Sequence, residues 1–293
     1  MNTNLSNPLV SVLCLCYNQK SFVKEAIDSV LNQTYRPVQL IILDDGSTDG
    51  SADEIARCIV AKPEIIFIRN QENIGYTKSL NKAWSHAKGE FIIDLAADDI
   101  LFPNRIEEGV ADFKNRSPQF GLQFSDAELI DARGDLMGKH SDKYPHASIP
   151  QGDIYKEIIQ RYFICPPTIM FRKSVLDRMG GYDDSLAFED FDFLIRASRE
   201  YFFCYSSKPL VKRRLVKNSM SEKQFERGNQ QRTSTLIVCK KIQKLNRNRG
   251  EEKALKRRVR YEFLLSLRMF DIGLAIEFLK LYFRLSSPKT MLT

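Results

Sequence analysis

The chain has 293 residues, of which 43% are hydrophobic and 28% charged, and this balance excludes a disordered protein. A chain of this length can bury a full core and hold one large domain with a tail. The formal net charge is +7, but residues 208–260 alone hold eighteen Lys or Arg against four Glu. This basic region favours an anionic partner: a membrane surface, a lipid diphosphate or a nucleic acid.

The N-terminal residues and the cysteines indicate a compartment. Residues 1–6 are polar and uncharged, so we expect no secretory signal. The six cysteines show no paired spacing typical of metal ligands. We therefore expect a cytoplasmic protein with free thiols, and we expect Cys14 and Cys16 to lie in the core.

The first hundred residues alternate between apolar runs and helical patterns of apolar residues. The runs that predict strands are residues 10–16, 40–43, 64–69 and 89–97. Apolar residues at helical spacing predict helices near residues 22–31, 51–61 and 80–87. This alternation predicts an α/β fold with a mainly parallel, Rossmann-like sheet that is covered by helices on both faces.

Polar side chains follow three of the predicted strands. Asn18 follows the first strand, Asp44 and Asp45 the second, and Asp98 and Asp99 the last. Because ligands of open α/β sheets bind beyond the carboxyl ends of the strands, we expect these residues to meet at one ligand site. The alternative is a pair of ordinary strand-turn-helix junctions in which an acid caps a helix.

The turn after the second strand contains residues typical of a sharp turn and of a helix cap. Gly46 permits a sharp turn, and Ser47, Thr48 or Asp49 is expected to cap the following helix. Later in the chain, the Gly180-Gly181 pair predicts a loop with unusual backbone angles.

Two further acids stand at the start of a predicted helix. Glu189 and Asp190 lie among large apolar residues. An apolar surrounding raises the pKa of a carboxylate, although the positive N-terminus of a helix opposes that rise. Such an acid suits a general base. The alternative is that both acids only cap the helix.

In their order along the chain, these segments resemble family 2 glycosyltransferases with the GT-A fold. The resemblance covers roughly residues 8–200. The matching segments are residues 10–18, 44–51, 73–75 with Asn81, 89–99, 180–183 and 189–190. The resemblance implies transfer of a sugar from a nucleotide-diphosphate donor, with UDP- or dTDP-sugars favoured, to a hydroxyl of a growing surface glycan or a lipid-linked glycan.

The resemblance also implies a nucleotide-binding set. Asp44 and Asp45 correspond to the acids that bind the nucleobase, and the choice between them stays open. Asn18, Asn73 and Asp98 complete the implied set.

The same resemblance also implies a metal ligand and a general base. Asp99 is implied as the ligand of a divalent cation, Mn²⁺ or Mg²⁺, with Asp98 beside it. Asp190 is implied as the general base of an inverting transfer, with Glu189 next to it.

Two positions depart from the family pattern. Ala96 stands where an acid is usual, and Val216 stands where many relatives have a histidine. We expect weaker or partly water-mediated metal coordination, with Arg213, Arg214 or Lys217 supplying positive charge to the diphosphate. A nucleotide-sugar-binding protein without catalysis is the competing interpretation. Nucleic-acid binding through residues 208–260 is a third.

We predict a catalytic domain in residues 1–207 and a basic, amphipathic helical region in residues 208–293. Charged residues interrupt the apolar pattern of that region, so no membrane-spanning helix is expected. Its basic flanks favour contact with the inner face of a membrane. Packing of the helices on the catalytic domain, or on a second subunit in a homo-oligomer, is the alternative. Residues 133–153 are expected to form a mobile loop over the active site.

Overall fold

A computed structural model describes residues 7–114, 116–144, 148–216 and 229–286. The chain divides into two compact units. The first is drawn from residues 1–152, 164–181 and 201–216, and the second from residues 153–163, 182–200 and 217–293. The units are therefore interleaved in sequence, and residue 207 lies inside a long strand, Phe202–Arg214.

The described elements follow one another in this order: β1 (Val10–Cys16), α1 (Val23–Leu31), β2 (Val38–Asp44), α2 (Ser51–Ile59), β3 (Ile66–Arg69), α3 (Tyr76–Trp84), β4 (Phe91–Ala96), β5 (Ile100–Leu101), α4 (Arg105–Lys114), β6 (Phe120–Ile130), β7 (Leu136–Lys139), α5 (Tyr155–Gln160), β8 (Met170–Arg172), α6 (Lys173–Met179), α7 (Glu189–Ser198), β9 (Phe202–Arg214), α8 (Gln230–Leu245), α9 (Arg249–Arg268) and α10 (Ile272–Arg284).

One sheet organises the first unit, with strand order β3-β2-β1-β4-β8-β6-β9-β5 and β7 paired to β6. Strands β3, β2, β1 and β4 are mutually parallel. Strand β8 is antiparallel to both β4 and β6, and β6 and β9 are parallel. The prediction of an α/β fold with a mainly parallel sheet is confirmed.

Strand β1 is buried along its whole length. Successive side chains of a strand point to opposite faces. Cys14 and Cys16 therefore share one face, where they join the core together with α1 and α2 residues such as Ile27 and Ile55. Leu13, on the opposite face, is equally buried. A strand covered on both faces explains why the sequence shows a continuous apolar run and no alternation.

The turn after β2 differs from the predicted one in its capping residue. The N-cap of α2 is Gly50, at φ +89°, and it has no side chain to cap with. Asp49 lies just before it and accepts hydrogen bonds from the backbone N–H groups of Ser51, at 2.9 Å, and Lys20, at 3.0 Å. Asp49 thus ties α2 to the loop after β1.

Residues 133–153 were expected to form a mobile loop over the active site, but their described part contains a strand and a 3₁₀ turn. Residues 145–147 lie outside the described residues. Strand β7 pairs with β6 in antiparallel fashion, and a 3₁₀ turn follows at residues 140–143. Ser141 then bonds to the buried Asp126, with its hydroxyl 2.6 Å from Oδ2 and its N–H 3.0 Å from Oδ1. Backbone pairing and a buried carboxylate therefore hold this segment to the sheet.

Helices make up the second unit: α5, α7, α8, α9 and α10. Arg199 pairs with Glu251 at 2.9 Å, and Arg258 pairs with Glu262 at 2.8 Å. All four side chains are largely buried, so loss of either partner would leave a costly unpaired charge. Within the described residues, no helix combines the length and the apolar character needed to cross a bilayer.

We predict that Gly46→Ala costs much more stability than Gly180→Ala. Both glycines have φ near +70°, a conformation that costs an alanine about 1 kcal/mol. A Cβ at Gly46 would lie 2.5 Å from the carbonyl carbon of Glu72, whereas nothing lies within 4 Å at Gly180. The expected loss is therefore about 3 kcal/mol for Gly46→Ala and about 1 kcal/mol for Gly180→Ala.

Urea unfolding followed by the fluorescence of Trp84, the one tryptophan of the chain, measures this difference. Equal losses for the two variants would contradict the close backbone approach at Gly46.

Candidate active site

The carboxyl ends of β1, β2 and β4 lie side by side, with β1 in the middle. Cys16 is in register with Asp44, and Leu15 with Ala96. The ladder continues past the strands, because Asp45 N–H donates to the Cys16 carbonyl at 2.8 Å. The residues that follow the three strands therefore meet at one edge of the sheet, as the sequence predicted for Asn18 and the two acid pairs.

Asn18 connects the first two of these loops. It is in the left-handed region, at φ +54°, where asparagine is among the few residues with a mild cost. Its backbone N–H donates to Ser47 Oγ at 2.9 Å, and its Oδ1 accepts the N–H of Thr48 at 2.9 Å. The loop after β1 and the loop after β2 are thus locked to each other.

Asp45 organises the loop after β3. Its Oδ1 accepts hydrogen bonds from Asn70 Nδ2, at 2.8 Å, and from the N–H of Ile74, at 3.0 Å. Its Oδ2 accepts the N–H of Gly75 at 3.0 Å. A carboxylate has about four lone-pair positions, so this one keeps a position for a further donor.

Asp44 and Asn73 have different surroundings. Asp44 is fully buried, whereas Asp45 keeps 5% of its surface exposed. Asp44 Oδ2 accepts the N–H of Ser47 at 3.1 Å, and Oδ1 is buried without a hydrogen-bond partner. Asn73 is exposed and accepts the N–H of Gly75 at 2.9 Å. Of the two acids, only Asp45 offers surface to a ligand.

Asp98 and Asp99 form a tight turn at the end of β4. The N–H of Asp99 donates to the carbonyl of Ala96 at 3.0 Å. Burial, and then the negative charge of Asp98, raise the pKa of Asp99 to about 8. Burial also raises the pKa of Asp98, against the positive charges of Arg214 and Arg213. Two adjacent carboxylates in a poorly solvated turn favour protons or a cation.

Arg214 holds this turn in place. Its backbone N–H donates to Asp99 Oδ1 at 2.8 Å, and its Nε donates to the carbonyl of Asp98 at 3.0 Å. Its terminal nitrogens bond to the carbonyls of Asp131 and Ala132 and to the carboxylate of Glu25. Each nitrogen of the buried guanidinium is hydrogen-bonded within the protein, so Arg214 holds the acids in position.

The other residues of that basic segment differ in their surroundings. Arg213 hydrogen-bonds the thiol of Cys165, whose pKa burial raises to about 11, and its charge acts on both Asp98 and Asp99. Val216 is half-buried. Lys217 lies outside the described residues. Arg213 therefore adds positive charge at the acidic turn together with Arg214.

The side chains near the acidic turn limit which metal site can form there. Within the described residues, no three or more His, Cys, Asp or Glu gather as a metal site would need. Asp94, the nearest acid before Ala96, accepts the hydroxyl of Tyr76 on Oδ1 at 2.7 Å. Asp98 and Asp99 with their raised pKa values nevertheless fit a cation that completes its coordination with phosphate oxygens and water.

Asp190 lies in the second unit, at the second residue of α7. Its Oδ2 accepts the hydroxyl of Tyr162 at 2.6 Å, and its Oδ1 accepts the N–H of Phe191 at 2.7 Å. The ring of Tyr162 packs against those of Phe188 and Phe191, with centroids at 5.3 and 5.7 Å, and the two phenylalanine rings also contact each other at 5.3 Å. The aromatic cluster therefore fixes the orientation of the carboxylate. Tyr162 carries no motif that would have revealed this role in the sequence.

Glu189 and Asp190 do not act as simple helix caps. The N-cap of α7 is Phe188, and no side chain caps it. Glu189 is buried. The Gly180-Gly181 pair has the unusual angles that were expected, φ +70° and +77°. A Cβ at Gly181 would lie 2.8 Å from Asn81 Oδ1 and 2.9 Å from the ring of Trp84, so this glycine permits close contact with α3.

A lysine of α8 connects two acids of the second unit. Lys241 Nζ lies 2.8 Å from Asp183 Oδ2 and 2.7 Å from Asp192 Oδ1. The hydrogen bond from Lys241 lowers the pKa of Asp183 to about 2. The loop after Gly181 is therefore anchored to α8 through Asp183. The sequence gives no signal for this pairing, because 58 residues separate Lys241 from Asp183.

Comparisons with known proteins point to one family. The model for glycosyl transferase family 2 matches residues 11–180. An uncharacterized glycosyltransferase of Methanocaldococcus jannaschii, MJ1057, is 32% identical over 216 residues, which cover 72% of each chain. These matches confirm the family resemblance drawn from the sequence motifs.

Solved structures share the fold. The S. aureus protein TarS, residues 1–349 in complex with UDP-GlcNAc, has a TM-score of 0.72 and 16% identity, covering 95% of this chain and 81% of that one. The mannosyltransferase PcManGT of Pyrobaculum calidifontis, in complex with GDP-Man and Mn²⁺, has a TM-score of 0.68 and 16% identity, covering 97% and 77%. The predicted GT-A fold is confirmed.

We predict that the metal-free protein loses stability as the pH rises from about 4 to about 8, and that Asp99→Asn reduces this loss. Asp99 ionises near its ordinary pKa of 3.8 in the unfolded chain and near 8 in the folded one. Between these values the folded state holds a proton that the unfolded state has released, so the free energy of unfolding falls by up to about 1.4 kcal/mol per pH unit.

Urea unfolding in the presence of EDTA, read from the fluorescence of Trp84, gives the profile. The exposed Glu72 provides a control, Glu72→Gln, which should leave the wild-type slope. An unchanged slope in Asp99→Asn would show that Asp99 is not the group that titrates.

Proposed function

The chain belongs to glycosyl transferase family 2, and we propose that it moves a sugar from a nucleotide-diphosphate donor to a hydroxyl of a growing surface glycan. The observation that carries this proposal is the gathering of Asn18, Asp45 and the Asp98–Asp99 turn at the carboxyl ends of adjacent parallel strands. Proteins of the same fold are complexed with UDP-GlcNAc and with GDP-Man, which supports a donor of this class.

The nucleobase contact is assigned to Asp45 and not to Asp44. Asp45 keeps 5% of its surface exposed and has a lone-pair position left for a donor, whereas the acceptor without a partner on Asp44, Oδ1, belongs to a fully buried side chain. A carboxylate accepts the ring N–H of uracil or thymine, so UDP- and dTDP-sugars are favoured. Asn18 and Asn73 border the same loops and complete the nucleotide site.

The cation, Mn²⁺ or Mg²⁺, is assigned to Asp99 with Asp98 beside it. When bound, it would neutralise the charge that develops on the departing diphosphate. PcManGT carries Mn²⁺ together with its donor, which supports a divalent ion here. Because Ala96 supplies no third carboxylate, phosphate oxygens and water would fill the remaining positions.

Asp190 is assigned as the general base, on the family motif and on its own surroundings. It would take the proton of the acceptor hydroxyl as the acceptor oxygen attacks the anomeric carbon and the bond to the diphosphate breaks. Attack from the side opposite the leaving group inverts the anomeric centre. The Tyr162 hydroxyl and the N–H of Phe191 orient the carboxylate. The acceptor is a glycan, free or lipid-linked, on the cytoplasmic side of a membrane.

We predict Mn²⁺-dependent release of the nucleoside diphosphate from one donor of a panel of nucleotide-sugars. Asp99→Asn should reduce this release about a hundredfold, because the charge on the leaving group is no longer offset. Asp45→Asn should weaken donor binding and leave the metal dependence of the remaining activity intact. Chromatography of the released diphosphate and calorimetry of donor binding measure the two effects, with Glu72→Gln as the control.

The outcomes separate the competing functions. Tight donor binding without release, with every acceptor tried, would favour the catalytically inactive binding protein. Failure to bind any donor would overturn the transferase assignment, and salt-sensitive binding of DNA or RNA would then favour the nucleic-acid interpretation.

We predict that Asp190→Asn abolishes transfer to the acceptor, by at least about a hundredfold, and leaves donor affinity unchanged. Tyr162→Phe, which removes the hydrogen bond from the tyrosine hydroxyl to the carboxylate, should lower kcat about tenfold with the same KM for the donor. Steady-state kinetics with a glycan acceptor provide the measurement. The exposed Asp184 supplies the matched control, Asp184→Asn, and equal activity of Asp190→Asn and this control would remove Asp190 from the mechanism.

A further inference from the structure

The exposed surface of α9 is basic in its first half and apolar in its second. Lys253, Arg257 and Arg260 are exposed, and Tyr261, Leu264 and Leu267 follow them. Leu264 and Leu267 keep 52% and 41% of their surface in solvent. A soluble helix normally shows polar residues on this side, so the apolar half of the surface needs a different explanation.

Two acids of α9 are withdrawn from this surface. Glu251 is buried against Arg199, and Glu262 against Arg258. On α10, Glu277 is paired with Lys280 at 2.7 Å. Glu252 and Glu277 are half-buried, and the charged residues that are exposed on α9 and α10 are all basic.

Phe270 stands at the turn between α9 and α10 in a conformation that suits glycine. It ends α9 at φ +55°, and the N–H of the next residue, Asp271, donates to the carbonyl of Ser266 at 3.0 Å. This C-terminal position commonly holds glycine, because a Cβ is strained there. The phenylalanine is also 74% exposed, so no packing contact compensates for the strain. Strain without packing gain is typical of a residue with a function.

The apolar surface continues onto α10. Ile272, Ile276 and Phe283 share one face of the helix and are 55%, 46% and 61% exposed. Ala275, Phe278 and Leu281 occupy the opposite face and are buried. We name the exposed residues at the turn, Leu264, Leu267, Arg268, Phe270 and Ile272, the helical tip.

We propose that the helical tip inserts into the interface of an anionic lipid bilayer, with Arg257, Arg260 and Arg268 on the lipid phosphates. Apolar side chains that protrude beside arginines match the layered chemistry of that interface, in which acyl chains lie beneath anionic headgroups. A second copy of the chain is a poorer occupant, because like-charged surfaces would face each other. A protein partner would need a groove for Phe270, whereas a bilayer needs none.

The test is flotation of the full chain with phosphatidylcholine vesicles, with and without phosphatidylglycerol, and with no nucleotide-sugar present. We expect binding to the anionic vesicles only, weakened by salt. Phe270→Gly should lower the partition coefficient about tenfold while its urea midpoint stays equal or rises, since glycine relieves the strain. Val60→Ser, a change at an 86% exposed valine of the first unit, should bind as the wild type does.

The charge contribution is tested separately. The double variant Arg257→Gln with Arg260→Gln should lose about twentyfold in binding to anionic vesicles. The matched pair Lys88→Gln with Lys114→Gln, at exposed lysines of the first unit, should change it little.

Three results would overturn the proposal. The first is no binding to anionic vesicles, the second is binding that Phe270→Gly leaves unchanged, and the third is a dimer in sedimentation that Phe270→Gly dissociates. Because vesicle binding is measured without donor or acceptor, its failure is distinct from a failure of the transferase assignment.

Discussion

The acidic turn at the end of β4 is stabilised by hydrogen bonds from one buried arginine, Arg214. Arg214 bonds through its backbone to Asp99, through its guanidinium to the carbonyl of Asp98, and through the same guanidinium to Glu25 of α1. Strand β9, the turn and α1 are therefore held by one side chain. Replacement of this arginine would leave several buried acceptors unsatisfied, and such losses cost more than the bonds themselves contribute.

The acids along the sheet edge have different electrostatic surroundings. Asp45 receives three hydrogen bonds from nitrogen donors, so its charge is compensated by the loop that it organises. Asp99 receives one from the backbone of Arg214 and lies beside another carboxylate, which contributes to its raised pKa. A cation relieves this second situation and is not needed in the first. The same residue type thus has a compensated charge at one position and a less compensated one at another, which is the basis for proposing different roles for the two.

The second unit uses its basic residues in two ways. Arg199 and Arg258 are buried, paired with glutamates and stacked on the rings of Tyr155 and Phe191, at 3.9 and 4.8 Å. These arginines belong to the core of the helical unit, and their charge is already compensated. Arg257 and Arg260 are exposed and have their full charge available to a partner. The excess charge of residues 208–260 in the sequence is therefore a mixture of internal and external charge.

The sequence by itself determined the strands and helices of the first hundred residues, the mainly parallel sheet, the edge at which Asn18, Asp45 and Asp99 meet, and the family. These features depend on local patterns: apolar runs, helical spacing and polar residues directly after strands. Only the tertiary structure distinguished Asp45 from Asp44, gave Arg214 and Tyr162 their positioning contacts, tied the segment after β6 to the sheet, and interleaved the two units. Each of these depends on partners distant in sequence, as Arg214 is from Glu25 and Tyr162 from Asp190. A pattern within one segment carries no information about which distant segment will pack against it.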